Sequence, residues 1–460
     1  MTSPLILVTS ATGYIASRLI PRLLDMGYRV RALARDPRRL QARNWSNKID
    51  NIQADVTTPS TLAQALDGVD SAYYFIHNMS YGHGYTVLEP NSARYFAKAA
   101  EQAGVKHIIY LGGLADPEGY IAPHMRSRIE TGNALREGKV PVTEFRAGVI
   151  VGSGSISFEM IRFMTELFPI VPGPLWMKNR SQPIAIQNVI DYLVAALENK
   201  SGQSQVLEIG GPDIMTYKDL MLRYANICGL NRRMLLLPGI PVWFMAFGVG
   251  LMTPVPYPIA YALIDGLSAD SIVKYPEALK AFPEVELINF DAATNDALEK
   301  THPRYIERVW DSRENFGSLS GRNSDGADSL QTSEVWLTLK HEGCFIDHRE
   351  MKIPVAPKAV FQAIAHIVSK HNWQTEIKED VCILVCDQDQ HFGNLWIEWR
   401  VGRTGREAFP IGGSPIYLTQ TVFFSPHGLP GFLYWIFLYP FHWMKFRGLI
   451  RGITAQSENS

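Results

Sequence analysis

The sequence predicts an α/β protein in two parts. A doubly wound parallel sheet occupies residues 1–310, and a smaller α+β domain occupies residues 335–455. Three observations carry this expectation. Short apolar runs alternate with stretches of helical apolar spacing through residue 145, as strand–helix–strand units of a parallel sheet require. Residues 311–334 are rich in Ser, Gly, Asn and Asp and nearly lack large apolar side chains, so they read as a linker. Beyond them several strand-like runs follow, and the chain closes on a long aromatic-rich helical run.

The first element is the run Leu5-Ile6-Leu7-Val8, four apolar residues suited to a buried parallel strand. A turn of small residues follows, then Ile15, Leu19, Ile20, Leu23 and Leu24 recur at helical spacing. A helix opening so soon after a strand presents N–H groups and partial positive charge to an anion. Gly13 lets the backbone approach that anion because it has no Cβ. Gly27 stops the helix, and residues 29–34 form the second strand, ending in Arg35-Asp36-Pro37-Arg38-Arg39. In a dinucleotide-binding sheet that position meets the adenosine ribose, where an acid selects NAD and an arginine accommodates the 2′-phosphate of NADP. Arg35 therefore favours NADP, and Asp36 keeps NAD open.

Residues 49–54 read as the third strand, with Asp55-Val56 at its carboxyl end, where ligands of open α/β sheets gather. Asp55 could face the adenine amino group or cap the next helix, at 62–66. Residues 71–76 form a fourth strand, which brings Ile76 and His77 beside the expected cofactor path. The loop Tyr81-Gly82-His83-Gly84-Tyr85 is a connection that could also close over the nicotinamide. A helix at 89–103, a fifth strand at 107–111, a helix opening at Pro123 and a sixth strand at 142–145 continue the alternation. His124 and Arg128, four apart, share a face of that helix. Residues 158–167 read as a helix, Pro169, Pro172 and Pro174 as a loop, 184–197 as a strand end plus helix, 206–209 as a strand and 217–227 as a helix. This segment, about 150–310, is expected to form the substrate side. In the last part strands are expected at 335–340, 345–353, 381–386, 395–401 and 416–424, with helices at 357–371 and 432–450.

Bulk properties exclude several classes. A chain of 460 residues needs more than one core. The formal net charge of −1 argues against a nucleic-acid partner. Cys228, Cys344, Cys382 and Cys386 show no zinc spacing and are too few for a disulfide framework, so no metal is expected and a reducing, cytoplasmic setting is. The chain starts directly on its first strand, with no signal peptide expected. No internal repeats are present, and the sequence does not set the oligomeric state. Two apolar runs, 235–251 and 432–444, are short or proline-broken for a membrane span, so they read as buried core or pocket wall. The second is followed by Lys445, Arg447 and Arg451, which gives peripheral membrane contact as its alternative.

Thr9 to Ala16, Thr-Ser-Ala-Thr-Gly-Tyr-Ile-Ala, resembles the opening of the atypical short-chain dehydrogenase/reductase superfamily, Thr-Gly-Ala-Thr-Gly-Tyr-Ile-Gly. The chain is most similar to the bacterial subgroup related to the nitrogen-metabolite-repression regulator and the complex I assembly relatives. The likeness extends to residues 124–128, 147–155 and 182–186. It implies a Rossmann domain binding NADP or NAD through Thr9, Ser10, Ala11, Thr12, Gly13, Tyr14, Ile15, Arg35, Asp55, Val56, Ile76 and His77. The last part resembles an uncharacterised domain often fused to this subgroup, on Leu418–Phe424, Gly428-Leu429 with Gly431, Phe441-His442 and Phe446-Arg447-Gly448. That domain looks like the START-like helix-grip fold, a curved sheet around a long helix that commonly holds apolar ligands.

The departures bear on chemistry. Ser10 replaces the first glycine of the motif and Ala16 the third. The Tyr-x-x-x-Lys of ordinary members is His124-x-x-x-Arg128, and the expected serine after the fifth strand is absent at Gly112-Gly113. A histidine that titrates near neutrality could transfer a proton without a lysine's help, and Arg128 could hold the nicotinamide ribose. The expected function is an NADP-dependent oxidoreductase acting on a small hydrophobic substrate. The alternative is a non-catalytic nucleotide-binding redox sensor or membrane-complex assembly factor.

Overall fold

The computed structural model describes residues 3–40, 43, 45–77, 84–116, 118–199, 203–253, 255, 257–301, 338–339, 345–371, 373–378, 382–387, 392–402 and 416–458, side chains 38, 39, 338, 339 and 416 excepted. The proposed linker at 311–334 lies outside them. The chain divides into two compact units, Met1–Thr165 with Pro169–Val309, and Trp310–Ser460 with Glu166–Phe168.

The first unit opens with β1 (Leu5–Val8), α1 (Tyr14–Asp25), β2 (Arg29–Ala34), β3 (Asp50–Gln53), α2 (Leu62–Leu66), β4 (Ser71–Tyr74), α3 (Tyr85–Ala103), β5 (His107–Gly113), α4 (Pro123–Arg136) and β6 (Val142–Ala147). It continues with β7 (Ile150–Val151), α5 (Ile156–Leu167), β8 (Ile170–Pro174), β9 (Arg180–Ser181), β10 (Ile184–Ala185), α6 (Ile186–Glu198), β11 (Val206–Ile209), β12 (Met215–Thr216) and α7 (Tyr217–Ile227). β13 (Arg233–Leu237), α8 (Val242–Met252), α9 (Tyr257–Gly266), α10 (Glu277–Ala281) and α11 (Phe290–Glu299) complete it.

Seven strands form one parallel sheet in the order β11-β6-β5-β4-β1-β2-β3. Strand geometry sends alternate side chains to opposite faces. Ile6 and Val8 enter the core beneath α1 and α6, while Leu5 and Leu7 enter the core beneath α2, α3 and α4. A sheet covered on both faces explains why the strands read as unbroken apolar runs. The chain order reverses at β1, which pairs with both β2 and β4. Ligands of such sheets bind at that switch point, outside the strand carboxyl ends.

Within β6, Glu144 is fully buried. Its carboxylate pairs with Arg136 of α4 and accepts from Arg146 Nε at 2.6 Å. Gly132 of α4 supplies the space, because a Cβ there would overlap the carboxylate.

Three features differ from the sequence expectation. The proline segment read as a loop is strand β8, paired in parallel with β13. Arg233 N donates to Pro169 O, so residues 169, 171 and 173 face β13, while Pro172 and Pro174 turn their missing N–H groups to the outer edge. β11, placed with the substrate side, extends the main sheet beside β6. α8 is not buried: Trp243, Phe244, Phe247 and Leu251 are 55–59% exposed. Among the described residues no helix is long and apolar enough to cross a membrane.

The second unit contains β14 (Thr338–Leu339), β15 (Phe345–Ile353), α12 (Pro357–Lys370), β16 (Gln374–Lys378), β17 (Cys382–Asp387), β18 (Gly393–Gly402), β19 (Ile416–Pro426) and α13 (Gly428–Glu458). Its sheet is antiparallel, in the order β14-β15-β19-β18-β17-β16. β16 escaped the sequence reading because it is a bulged, mostly exposed edge strand. Aromatic stacking fixes α13 on the sheet: the Trp435 ring lies 4.7 Å from Phe424 and 5.7 Å from Phe345. Gln420 accepts from Trp399 Nε1 at 3.0 Å and donates to Phe446 O at 3.0 Å, which ties two strands to the helix with a satisfied buried amide. Phe437 and Phe441 of α13 are exposed, so this run is only partly core. Cys382 and Cys386 are buried thiols four apart on β17, and burial first, then Glu376, raises the Cys386 thiol to about 11.

Candidate active site

The turn after β1 is held from both sides. Thr9 N donates to Tyr73 O at 3.1 Å, and Thr9 Oγ1 accepts from Phe75 N at 2.8 Å. Ala11 N donates to Leu33 O at 3.3 Å. These bonds pin the turn between β4 and β2, at the switch point. Ser10 then adopts φ +49°, the left-handed region that glycine occupies most readily. Its carbonyl accepts from Gly13 N at 2.7 Å. Gly13 itself is extended, with φ −81° and ψ 167°. Its need is spatial, since a Cβ would lie 3.0 Å from Ser10 O. Thr12, Tyr14 and Ile15 line the start of α1, half-buried. α1 has no capping side chain and no acid in its first turn, so its leading N–H groups suit a pyrophosphate. Arg18 stacks over the Tyr14 ring at 4.0 Å and donates to Ser153 O at 2.7 Å, fastening α1 to the segment after β7.

Around this cradle the expected contacts fall at the carboxyl ends of the strands. Arg35 is exposed after β2, and its carbonyl accepts from Gln53 Nε2 at 3.0 Å. Asp55 Oδ1 accepts from Thr57 N at 2.9 Å and Thr57 Oγ1 at 2.8 Å, so this carboxylate closes a local turn and does not cap α2. Val56 is buried, and Ile76 and His77 are half-buried after β4. In the glycine-rich loop, Tyr85 begins α3, while residues 81–83 lie outside the described residues.

α4 delivers the second group. Pro123 occupies its first turn, so His124 enters the site at the helix start. His124 is 2% exposed, and among the described residues neither ring nitrogen has a hydrogen-bond partner. Gly266 of α9 closes over it: a Cβ there would stand 2.7 Å from His124 Cε1. Burial, then the Arg128 charge, pushes His124 down to about 3. The same two influences, followed by His124, hold His77 well below its usual range. His77, His124 and Arg128 therefore share one electrostatic neighbourhood. The expectation that His124 titrates near neutrality fails, because a cation has no solvation there. At pH 7 it is a neutral imidazole.

The missing serine has a steric cause. A Cβ on Gly113 would overlap Met125 Sδ and come within 3.1 Å of Arg128 Cδ. Met125 and the stem of Arg128 thus pack over the end of β5, where the serine would stand. Tyr110 donates to Arg128 O at 2.9 Å, and Ser127 donates to the buried Glu89. Tyr85, from the loop expected near the nicotinamide, belongs to this site, and so does Asp265, which no sequence pattern joined to it. Tyr85 is raised by burial and Glu89 and feels both Arg128 and Asp265. Asp265, raised by burial, accepts from Tyr120 at 3.1 Å.

A stability consequence follows from His124. Its folded pKa lies below the unfolded value, so the unfolded chain binds the extra proton between about pH 6.5 and 3. Stability contributed by the neutral ring is present above that window and is lost as pH falls through it. The chain is expected to lose about 2 kcal/mol between pH 7 and 5 from this group. His124→Phe should flatten the melting-temperature profile over that range, and an unchanged slope would refute the assignment.

Comparison with known proteins agrees with this geometry. Residues 10–129 match the family described as NAD(P)H-binding. The chain is 27% identical over 277 residues to (4-alkanoyl-5-oxo-2,5-dihydrofuran-3-yl)methyl phosphate reductase of Streptomyces griseus, covering 56% of this chain and 85% of that protein. It is 24% identical to ceramide reductase of Caulobacter vibrioides, covering 50% of this chain and 73% of that protein. With 3-beta-hydroxysteroid dehydrogenase of Mycolicibacterium neoaurum it shares 26% identity over only 35% of that protein's length. Two solved structures share the fold. The Citrobacter sp. triphenylmethane reductase complexed with NADP(H) has a TM-score of 0.53 at 19% identity, covering 64% of this chain and 99% of that one. The NADPH-dependent quinone oxidoreductase of Escherichia coli complexed with NADPH has a TM-score of 0.51 at 18% identity, covering 63% of this chain and 98% of that one. The pinned turn, the glycine that leaves room at α1 and these relatives converge: the first unit carries an NAD(P)H-binding domain of Rossmann-like fold.

Proposed function

We propose that the chain is an NADPH-dependent reductase of apolar, conjugated acceptors such as quinones. The observation that carries the reading is that Met125 and the stem of Arg128 pack where the serine would stand, while His124 on the same helix stays neutral. A saturated ketone needs a strong proton donor as hydride arrives, because its alkoxide is strongly basic. His124 cannot donate as an imidazolium at pH 7, and Tyr85 is shifted up, away from ready donation. A quinone needs less help, because its reduced anion is delocalised and takes its proton from water. Bound NADPH supplies the hydride. Arg128 holds the developing negative charge, and the neutral His124 ring packs on the same helix without adding a competing cation. Arg35 is the proposed partner of the 2′-phosphate, with the residues of the first turn on the pyrophosphate. Quinone and dye reductases of the same fold lend analogy to this reading. The antiparallel sheet and long α13 of the second unit suit a START-like holder of an apolar ligand, which we propose as its role.

Steady-state NADPH oxidation tests the assignment. Turnover is expected with naphthoquinones and not with saturated ketones. Arg128→Met should lower kcat/KM about 100-fold, equivalent to about 2.7 kcal/mol of transition-state stabilisation. NADPH binding without oxidation by any quinone would overturn the enzyme reading in favour of a nucleotide-responsive binding protein.

A further inference from the structure

The first unit carries an apolar surface that its cofactor site does not use. On α8, Trp243, Phe244, Phe247 and Leu251 recur at spacings that place them on one face, and all are more than half exposed. Ala246 and Val249 on the opposite side are buried in a cluster with Met160, Ala260 and Ile264. The inner face accounts for the packing of α8, so its outer face has no partner among the described residues of the unit. β13, which leads into α8, exposes Leu235 and Leu237 as well. A helix apolar on all sides is ordinarily covered by something other than water.

Charge identifies the cover. From Asn231 through Ile264 the only charged residues are Arg232 and Arg233, and there is no acid. Arg233 is exposed at the start of β13. Aromatic rings, aliphatic side chains and arginine without a carboxylate complement a bilayer surface bearing anionic headgroups. The eleven residues of α8 reach about 16 Å, well short of the hydrocarbon thickness, so the helix can lie in the interface and cannot cross it. We infer that the β13–α8 face docks this chain on an anionic lipid surface. A second copy would bring its own Arg233 to the same face, which disfavours self-association there. The inference stands apart from the proposed reaction, since it uses none of the residues of the cradle.

Co-sedimentation of the full chain with vesicles tests it. Vesicles of phosphatidylcholine and phosphatidylglycerol at 3:1 are compared with phosphatidylcholine alone, using wild type, Phe244→Glu/Phe247→Glu and Arg233→Glu. Both variants change exposed side chains, and retained NADPH binding checks that they fold. The expected result is wild-type binding stronger on the anionic vesicles, lowered at least tenfold in the double variant. Arg233→Glu should lose a few-fold on anionic vesicles only. Wild type left in the supernatant, or a double variant that sediments equally, overturns the inference. So does a lipid-free wild-type dimer that the double variant converts to monomer, since the face would then join two copies.

Discussion

Gly13→Val is expected to weaken NADPH binding about 100-fold or more, a loss of about 2.7 kcal/mol. The backbone at Gly13 is extended, a conformation valine adopts without strain. The fold should therefore survive, and the effect should be confined to the site. There a Cβ stands 3.0 Å from Ser10 O, and the two further methyl groups fill the approach to the first turn of α1. Ser10→Gly should act in the opposite sense. Ser10 holds φ +49°, which costs a non-glycine residue about 1 kcal/mol, and removing its Cβ also clears the cradle. Fluorescence titration of both variants with NADPH, beside far-UV circular dichroism, measures the pair. A Gly13→Val protein that binds as wild type would refute the location of the pyrophosphate.

Glu144→Ala is expected to destabilise the first unit by about 3 kcal/mol. Its carboxylate is fully buried between Arg136 and Arg146, whose side chains are 26% and 18% exposed. Removing the anion leaves two guanidinium groups facing each other across an emptied site. Their partial exposure lets water relieve some of the repulsion, which places the loss at the lower end of the range for broken buried pairs. Glu144→Gln, which keeps shape and an acceptor, should lose less. Urea unfolding followed by circular dichroism would show a lower midpoint for both, and a midpoint unchanged in Glu144→Ala would remove the role given to this carboxylate.

The alternation of buried strands and helices was readable because a sheet covered on both faces imprints continuous apolar runs, as at Leu5–Val8 and His107–Gly113. The turn after β1 was readable because anion binding at a helix start demands small residues. The rest depended on contacts between distant segments. Nothing local marks His124 as neutral, since Gly266, far along the chain, completes its enclosure. Gly113 showed that the serine was missing, but only packing showed that Arg128 and Met125 occupy its space. Asp265 joins the site through tertiary approach alone. β8 was hidden because proline argues against a strand until the edge it faces is known. The exposure of α8 was hidden because an apolar helix reads alike whether it meets protein or some other cover.

The paired prolines of β8 have a further effect. That strand runs beside β13, which bears exposed leucines, and an open margin next to such greasy residues would ordinarily let neighbouring molecules zip together at high concentration. With Pro172 and Pro174 both directed outward, Ile170 is the one position of β8 on that rim that offers an amide hydrogen for an incoming chain to grasp. The protein can thus keep a sticky surface without its backbone seeding fibrils.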